Sequence, residues 1–473
     1  MLTAIALGLV FAQQKPGSTE VTIYNKGFAL VKEDRVLNLK KGRQTVAIEN
    51  VAAQVEPNSV GFHSLGDKNA FQLLEQNYQF DLISPQAILN KAVGSRIRFI
   101  RVLPNATKEV LTGFLMSSPT ALIQSQNGDS TQTYNGMVIK TDDNRIILNP
   151  TGEVEVESIP EGMISTPTLF WEIEAPKATD SSIELSYLTQ GMSWNADYVM
   201  TLNGSGTADL QGWVTLTNQC GTTFKNAKLK LLAGEVNRVA LSPLGGVPID
   251  QQLTAGAAGH RFAEESLFEY HLYTLDRPTD LKNKQIKQVS LLEGHGVNFQ
   301  KKLVVDTDML PGSTAPSEQE AQTGKLSPQV RIEFMNSEKN NLGMPLPQGS
   351  VKVYQRDASG SVQMVGEDSI NHTPKNEMIS LLLGRSFDVV YERKRTNYHR
   401  LTKRSATESF QFELRNHKAD AARVYVRERH VGTWSISKST QPYTKPDSDS
   451  TQYIVDLKPN ETRTITYSVN TTW

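Results

Sequence analysis

A mainly-β chain of stacked sheets is predicted from three observations. Hydrophobic residues make up 38% of the 473-residue chain, below the usual ~45–50%, and charged residues only 21%. Short runs rich in β-branched residues recur between turn-forming clusters. In the longer runs polar and apolar residues alternate, which gives a sheet one wet face and one buried face. Lys and Arg total 49 against 50 Asp and Glu, so no bulk attraction to nucleic acid is indicated. A single cysteine excludes an internal disulfide framework and every Cys-pair metal motif.

Leu2 to Phe11 is apolar, and Val10-Phe11-Ala12 places small residues where signal peptidase would cut before Gln13. Residues 1–12 therefore read as a signal peptide, although the stretch before the apolar run has no Lys or Arg, which leaves a truncated start or a short apolar strand as the alternatives. No later segment reaches the ~18–20 apolar residues of a membrane span, so export without a transmembrane anchor is expected. Lone Cys220 is expected to be a small buried hydrophobe, with a reactive thiol as the other reading.

Val21-Thr22-Ile23-Tyr24, Ala29 to Leu39 and Gln44 to Ile48 predict a small antiparallel sheet in a module over residues 20–79, with a turn at Lys41-Gly42-Arg43. At Ser84-Pro85 a helix opens, with Ser as cap and Pro in its first turn; it carries Ala87, Ile88, Leu89 and Ala92 and ends at Gly94. Five short strands follow, starting at Arg96, Val110, Ala121, Gly136 and Arg145, and suggest a small barrel within residues 80–165. Residues 166–473 carry longer alternating strands and form the β-sandwich region. Ser242 to Gly259 and Asp308 to Pro328 lack the apolar surface that offsets ordering entropy and are expected to be mobile loops.

Catalytic signatures are sparse. Ser435-Ile436-Ser437-Lys438 matches a Ser-x-x-Lys nucleophile pair, but that chemistry needs a helix and the flanks are strand- and turn-like. His260, Glu264, Glu265 and His271 fall within twelve residues, and His260 and Glu264, four apart, would meet on one helical face as metal ligands. Phe262, Leu267, Phe268, Tyr270 and Leu272 point instead to a sheet-entering segment. Glu367-Asp368 is expected in a turn. Trp194, Trp213, Trp434 and Trp473 could form sugar platforms, with Trp213 expected in the core.

The sharpest charge feature is Tyr391 to Arg404, with six Lys and Arg in fourteen residues: Arg393, Lys394, Arg395, Arg400, Lys403 and Arg404. In a strand Arg393 and Arg395 share one face, a row suited to phosphate or uronate. The alternative is a solvated face whose charge discourages edge pairing.

Three ordered blocks carry a family resemblance. They are Leu185-Ser186-Tyr187 through Tyr198 with Leu216-Thr217-Asn218 and Phe224 to Leu229; Leu346 to Tyr354 with Val365-Gly366-Glu367-Asp368 and His372-Thr373-Pro374; and Leu383 to Val389. Over residues 180–473 the chain resembles the domain-of-unknown-function 4139 family, related to proteins called mucoidy inhibitor A. Where that family tends to have Thr-Gly-Glu-Asp-Trp, this chain has Cys220-Gly221-Thr222-Thr223-Phe224. The resemblance implies a β-rich exported bacterial protein and supplies no catalytic residues.

The expectation is an exported, non-catalytic envelope module without a cofactor, in the periplasm or outside the cell, meeting envelope polymers or another envelope protein. The rival is a metal-assisted or acid/base hydrolase of envelope polysaccharide or peptide that uses His260, Glu264 and His271.

Overall fold

A computed structural model describes residues 9–11, 16–79, 81–102, 107–126, 129–204, 206–238, 262–307 and 324–473. The expected loop from Ser242 to Gly259, and residues 308–323 of the second one, lie outside the described residues. The fold is nearly all β.

The N-terminal strands do not close on themselves. Phe28–Leu39 pairs antiparallel with Thr19–Tyr24 on one side and with Thr179–Gln190 on the other. Thr19–Tyr24 in turn runs parallel to Phe224–Ala233. Gly42–Glu49 and Gln72–Gln79 flank Thr168–Ala175. Within the expected signal peptide, Leu9–Phe11 is a strand running parallel to Thr45–Ala47. A third sheet is built on the hairpin Met192–Asn203 and Thr207–Asn218, with Gly349–Arg356 added in parallel. Alternation in these long strands sends Val21, Trp171, Leu185, Tyr198, Leu216 and Val353 into one large core.

Ser84 caps the helix Pro85–Lys91 by accepting from the Ala87 amide at 3.1 Å, and Gly94 follows at φ +85°. The small sheet beyond it has five strands, in the order Ile146–Leu148, Val138–Thr141, Lys108–Ser117, Arg96–Val102, Glu153–Val156. The strand expected near Ala121 belongs instead to a separate ribbon, Thr120–Gln126 with Asp129–Asn135. Its place is taken by Glu153–Val156, a short strand too polar to stand out in the sequence.

The C-terminal part packs a six-stranded sheet on a four-stranded one around Val424, Val455, Phe412, Leu414 and Tyr467. One strand of the larger sheet, Gln329–Met335, belongs to both bodies: Ile332 and Phe334 enter the large core, while Val330 packs on the C-terminal core. Two expectations are corrected. Glu367 and Asp368 lie inside the strand Val362–Ile370, where the Asp368 carboxylate accepts from the Leu382 amide at 2.7 Å. Trp213 is half-buried on the opposite strand face from the core residues Leu210, Val214 and Leu216. Cys220 is fully buried, and burial pushes its thiol up to about 11, which makes it unreactive at neutral pH.

Candidate functional site

The basic run from Tyr391 to Arg404 lies on the strand Val389–Thr402, which pairs with Ser405–Asn416. Arg393 and Arg395 do share a face, but that face turns inward. The Arg393 guanidinium donates through Nε and Nη2 to the Glu428 carboxylate, at 3.1 Å each, and lies 4.1 Å from the Phe410 ring centre. Glu428 sits on Ala422–Arg429 in the opposite sheet, with its side chain only 2% exposed, and also accepts from the Tyr467 hydroxyl. Arg395 donates to Glu408 at 2.9 Å; these side chains are 10% and 8% exposed. The row expected to meet a ligand is therefore split: two arginines are anchored in the sandwich, as buried charges must be when paired. A bulge between Arg395 and Asn397 separates this inner half from the outer half. There Arg400, Lys403 and Arg404 are exposed, and the Arg400 guanidinium donates to the carbonyls of Thr402 and Lys403. Lys394 is half-exposed, 3.5 Å from Glu392.

Beside the inner half, His430 is buried between Trp434 and Tyr467, with ring centres 4.5 and 6.2 Å away, and its Nε2 lies 2.9 Å from the Thr451 hydroxyl. Burial, reinforced by the charges of Arg393 and Lys445, lowers its imidazole to about 4.

The metal candidates fare differently. His260 lies outside the described residues. Glu264 is on the strand Phe262–Leu267, so the helical face considered for it is excluded; the apolar residues around it fill a hairpin with Tyr270–Leu275. Its register sets Ser266 opposite His271 and Glu264 opposite Tyr273, which makes Glu264 and His271 diagonal neighbours. His271 Nδ1 lies 2.6 Å from Glu264 Oε1, with side chains 15% and 5% exposed. His372 accepts from the Gln348 amide at 3.2 Å, and burial followed by the charge of His271 lowers its pKa. Among the described residues, no three His, Cys, Asp or Glu side chains are placed to hold one metal ion. Ser435 and Lys438 lie in the strand Thr433–Ser439, away from the helical geometry a Ser-Lys pair needs.

Sequence reasoning missed a cavity of roughly 350 Å³ at the seam of the two cores. Its lining includes Phe299, Val330, Val365 and Leu383, and among the described residues its ionisable lining residues are Lys301 and Arg385. Val365 and Leu383 belong to two of the motif blocks, which the fold brings together here. Glycines inside strands, at 366 and 384, were the available signal.

Among the described residues no helix is long and apolar enough to cross a membrane. No family model matches the chain, and no curated protein matches it.

Proposed function

We propose that this protein is an exported envelope component that works as a binding module, with the outer half of the 389–416 hairpin as its contact for anionic envelope polymers. One observation carries the reading: the inner half of the basic strand is fixed by buried ion pairs, and the outer half presents Arg400, Lys403 and Arg404 to solvent. An anchored post with a basic tip suits multivalent, salt-sensitive contact with uronate or phosphate groups. The apolar N-terminal run and the three motif blocks resembling the domain-of-unknown-function 4139 family support export. Capture on immobilised polygalacturonate tests the contact. Wild type is retained at low salt, and Lys403→Glu/Arg404→Glu elutes early; equal retention of both removes the hairpin from the proposal. N-terminal sequencing of protein from the periplasm tests export, with Gln13 as the expected first residue.

A second reading, an acid/base hydrolase, is favoured by the Glu264–His271 pair, because a carboxylate at 2.6 Å orients an imidazole as catalytic dyads require. Its test is hydrolysis of envelope glycan or peptide that disappears in His271→Gln.

A further inference from the structure

We infer that the cavity at the seam of the two cores binds an anion with an apolar body, its charged head beside Lys301 and Arg385 and its body on Val365 and Leu383. This deepens the binding-module reading but rests neither on export nor on the basic hairpin.

The apolar half of the site is built by two bulges. Between Gly349–Arg356 and Val362–Ile370 the pairing steps from Gly366 to Met364, so Val365 is the extra residue. Between Gln329–Met335 and Met378–Arg385 it steps from Gly384 to Leu382, so Leu383 is the extra residue. A bulge re-aims the side chain it frees, and both freed side chains line the same cavity. The two bulged strands interlock: a Cβ on Gly366 would stand 2.6 Å from the Leu383 carbonyl oxygen and 2.8 Å from its Cα. Leu383 and Phe299 also pack against the large core, and Val330 against the C-terminal one, so the floor is held from both sides. At roughly 350 Å³ the space falls in the lower range of small-molecule sites.

The polar half is one-signed. Among the described residues no carboxylate lines the cavity. Lys301 is an exposed residue whose ammonium makes no hydrogen bond or ion pair among the described residues; partial desolvation and the charge of Lys418 lower its pKa. Arg385 gives Nη1 to the Ser327 carbonyl at 3.0 Å, one of its five donors. Uncompensated positive charge over an apolar floor selects an anion, and the floor selects one that carries hydrocarbon. A fatty carboxylate and an alkyl phosphate share that chemistry.

Titration calorimetry on the full chain, at fixed ionic strength, tests this with four probes of equal chain length: octanoate, octyl phosphate, octanol and octylammonium. Saturable one-site binding of octanoate or octyl phosphate is expected, and which of the two binds more tightly identifies the head group. Octanol is expected to bind at least about tenfold more weakly and octylammonium more weakly still. Lys301→Glu should weaken the anion about tenfold or more. Val365→Glu, at a partly exposed position, should do the same from the apolar side; Lys301→Gln replaces the first variant if it fails to fold. No saturable binding of either anion, equal binding of octanol, or unchanged affinity in the folded Lys301 variant overturns the inference. Polygalacturonate retention measured on the same samples separates that failure from failure of the basic hairpin.

Discussion

The large core and the C-terminal sandwich both bury charge, in different ways. In the large core Arg35 donates to Glu33 at 2.7 Å, and both sit on the strand Phe28–Leu39, two residues apart and on the same face. In the sandwich Arg393 reaches Glu428 across the gap between two sheets, and Tyr467 donates to the same carboxylate. A pair within one strand carries its compensation with it and says nothing about how that strand docks. A pair between sheets is satisfied in only one docking, so it specifies the sandwich as well as neutralising charge. The largest expected effect follows from this. Glu428→Ala removes the buried carboxylate that Arg393 Nε and Nη2 both meet and should cost about 3–5 kcal/mol by urea denaturation. The double change Arg393→Met/Glu428→Leu should recover most of that loss, because an apolar replacement of a buried pair is often neutral or stabilising. A loss below about 1 kcal/mol in Glu428→Ala would place the pair among ordinary surface bridges and end the contrast.

His430 sharpens the comparison through pH. Its folded value of about 4 lies below the ordinary 6.5, so the neutral ring is the form the sandwich accepts. The associated stability is fully present above pH 6.5 and is lost as the pH falls through about 4, a change on the order of 3 kcal/mol. The charges of Arg393 and Lys445 act on the ring in the same direction, and Glu428 accepts from the neighbouring Tyr467 hydroxyl. Unfolding free energies at pH 7 and pH 4 should differ by less in His430→Gln than in wild type. Equal differences would move the acid sensitivity to other groups.

Legibility in the sequence follows how local each determinant is. The alternation over residues 405–416 is a property of one strand, and its burial alternates as the sequence implies. The helix at Pro85–Lys91 was legible from its own cap, proline and terminal glycine. Arg393 and Arg395 were legible as sharing a face, since that depends only on strand geometry. Which way the face turns depends on Glu428, thirty-five residues beyond Arg393 and on another sheet. The cavity draws its lining from several strands and its shape from two bulges whose register is fixed by distant partners. Glu367-Asp368 misled for the same reason: a polar pair reads as a turn until its strand partner, Val351 and Lys352, is known.

The smallest effect belongs to the third region, the five-stranded sheet and its helix, where the determinant is wholly local. Ser84 has extended backbone at φ −147° and ψ 156°, and its hydroxyl satisfies an amide that the first helical turn leaves without a partner. Leu89 and Ala92, on and just beyond this helix, join the small core with Ile97, Phe99 and Leu115. Ser84→Ala frees that amide and should cost about 1 kcal/mol, whereas Ser84→Asp keeps an acceptor at the cap and should cost almost nothing. Hydrogen exchange locates the effect. Faster exchange confined to residues 84–102 is the expected pattern, because the Ser84 hydroxyl accepts from an amide of its own helix. Equal acceleration in Phe410–Leu414 would mean that the three regions unfold as one unit, and the Glu428 and His430 effects would then report on the whole chain instead of the sandwich.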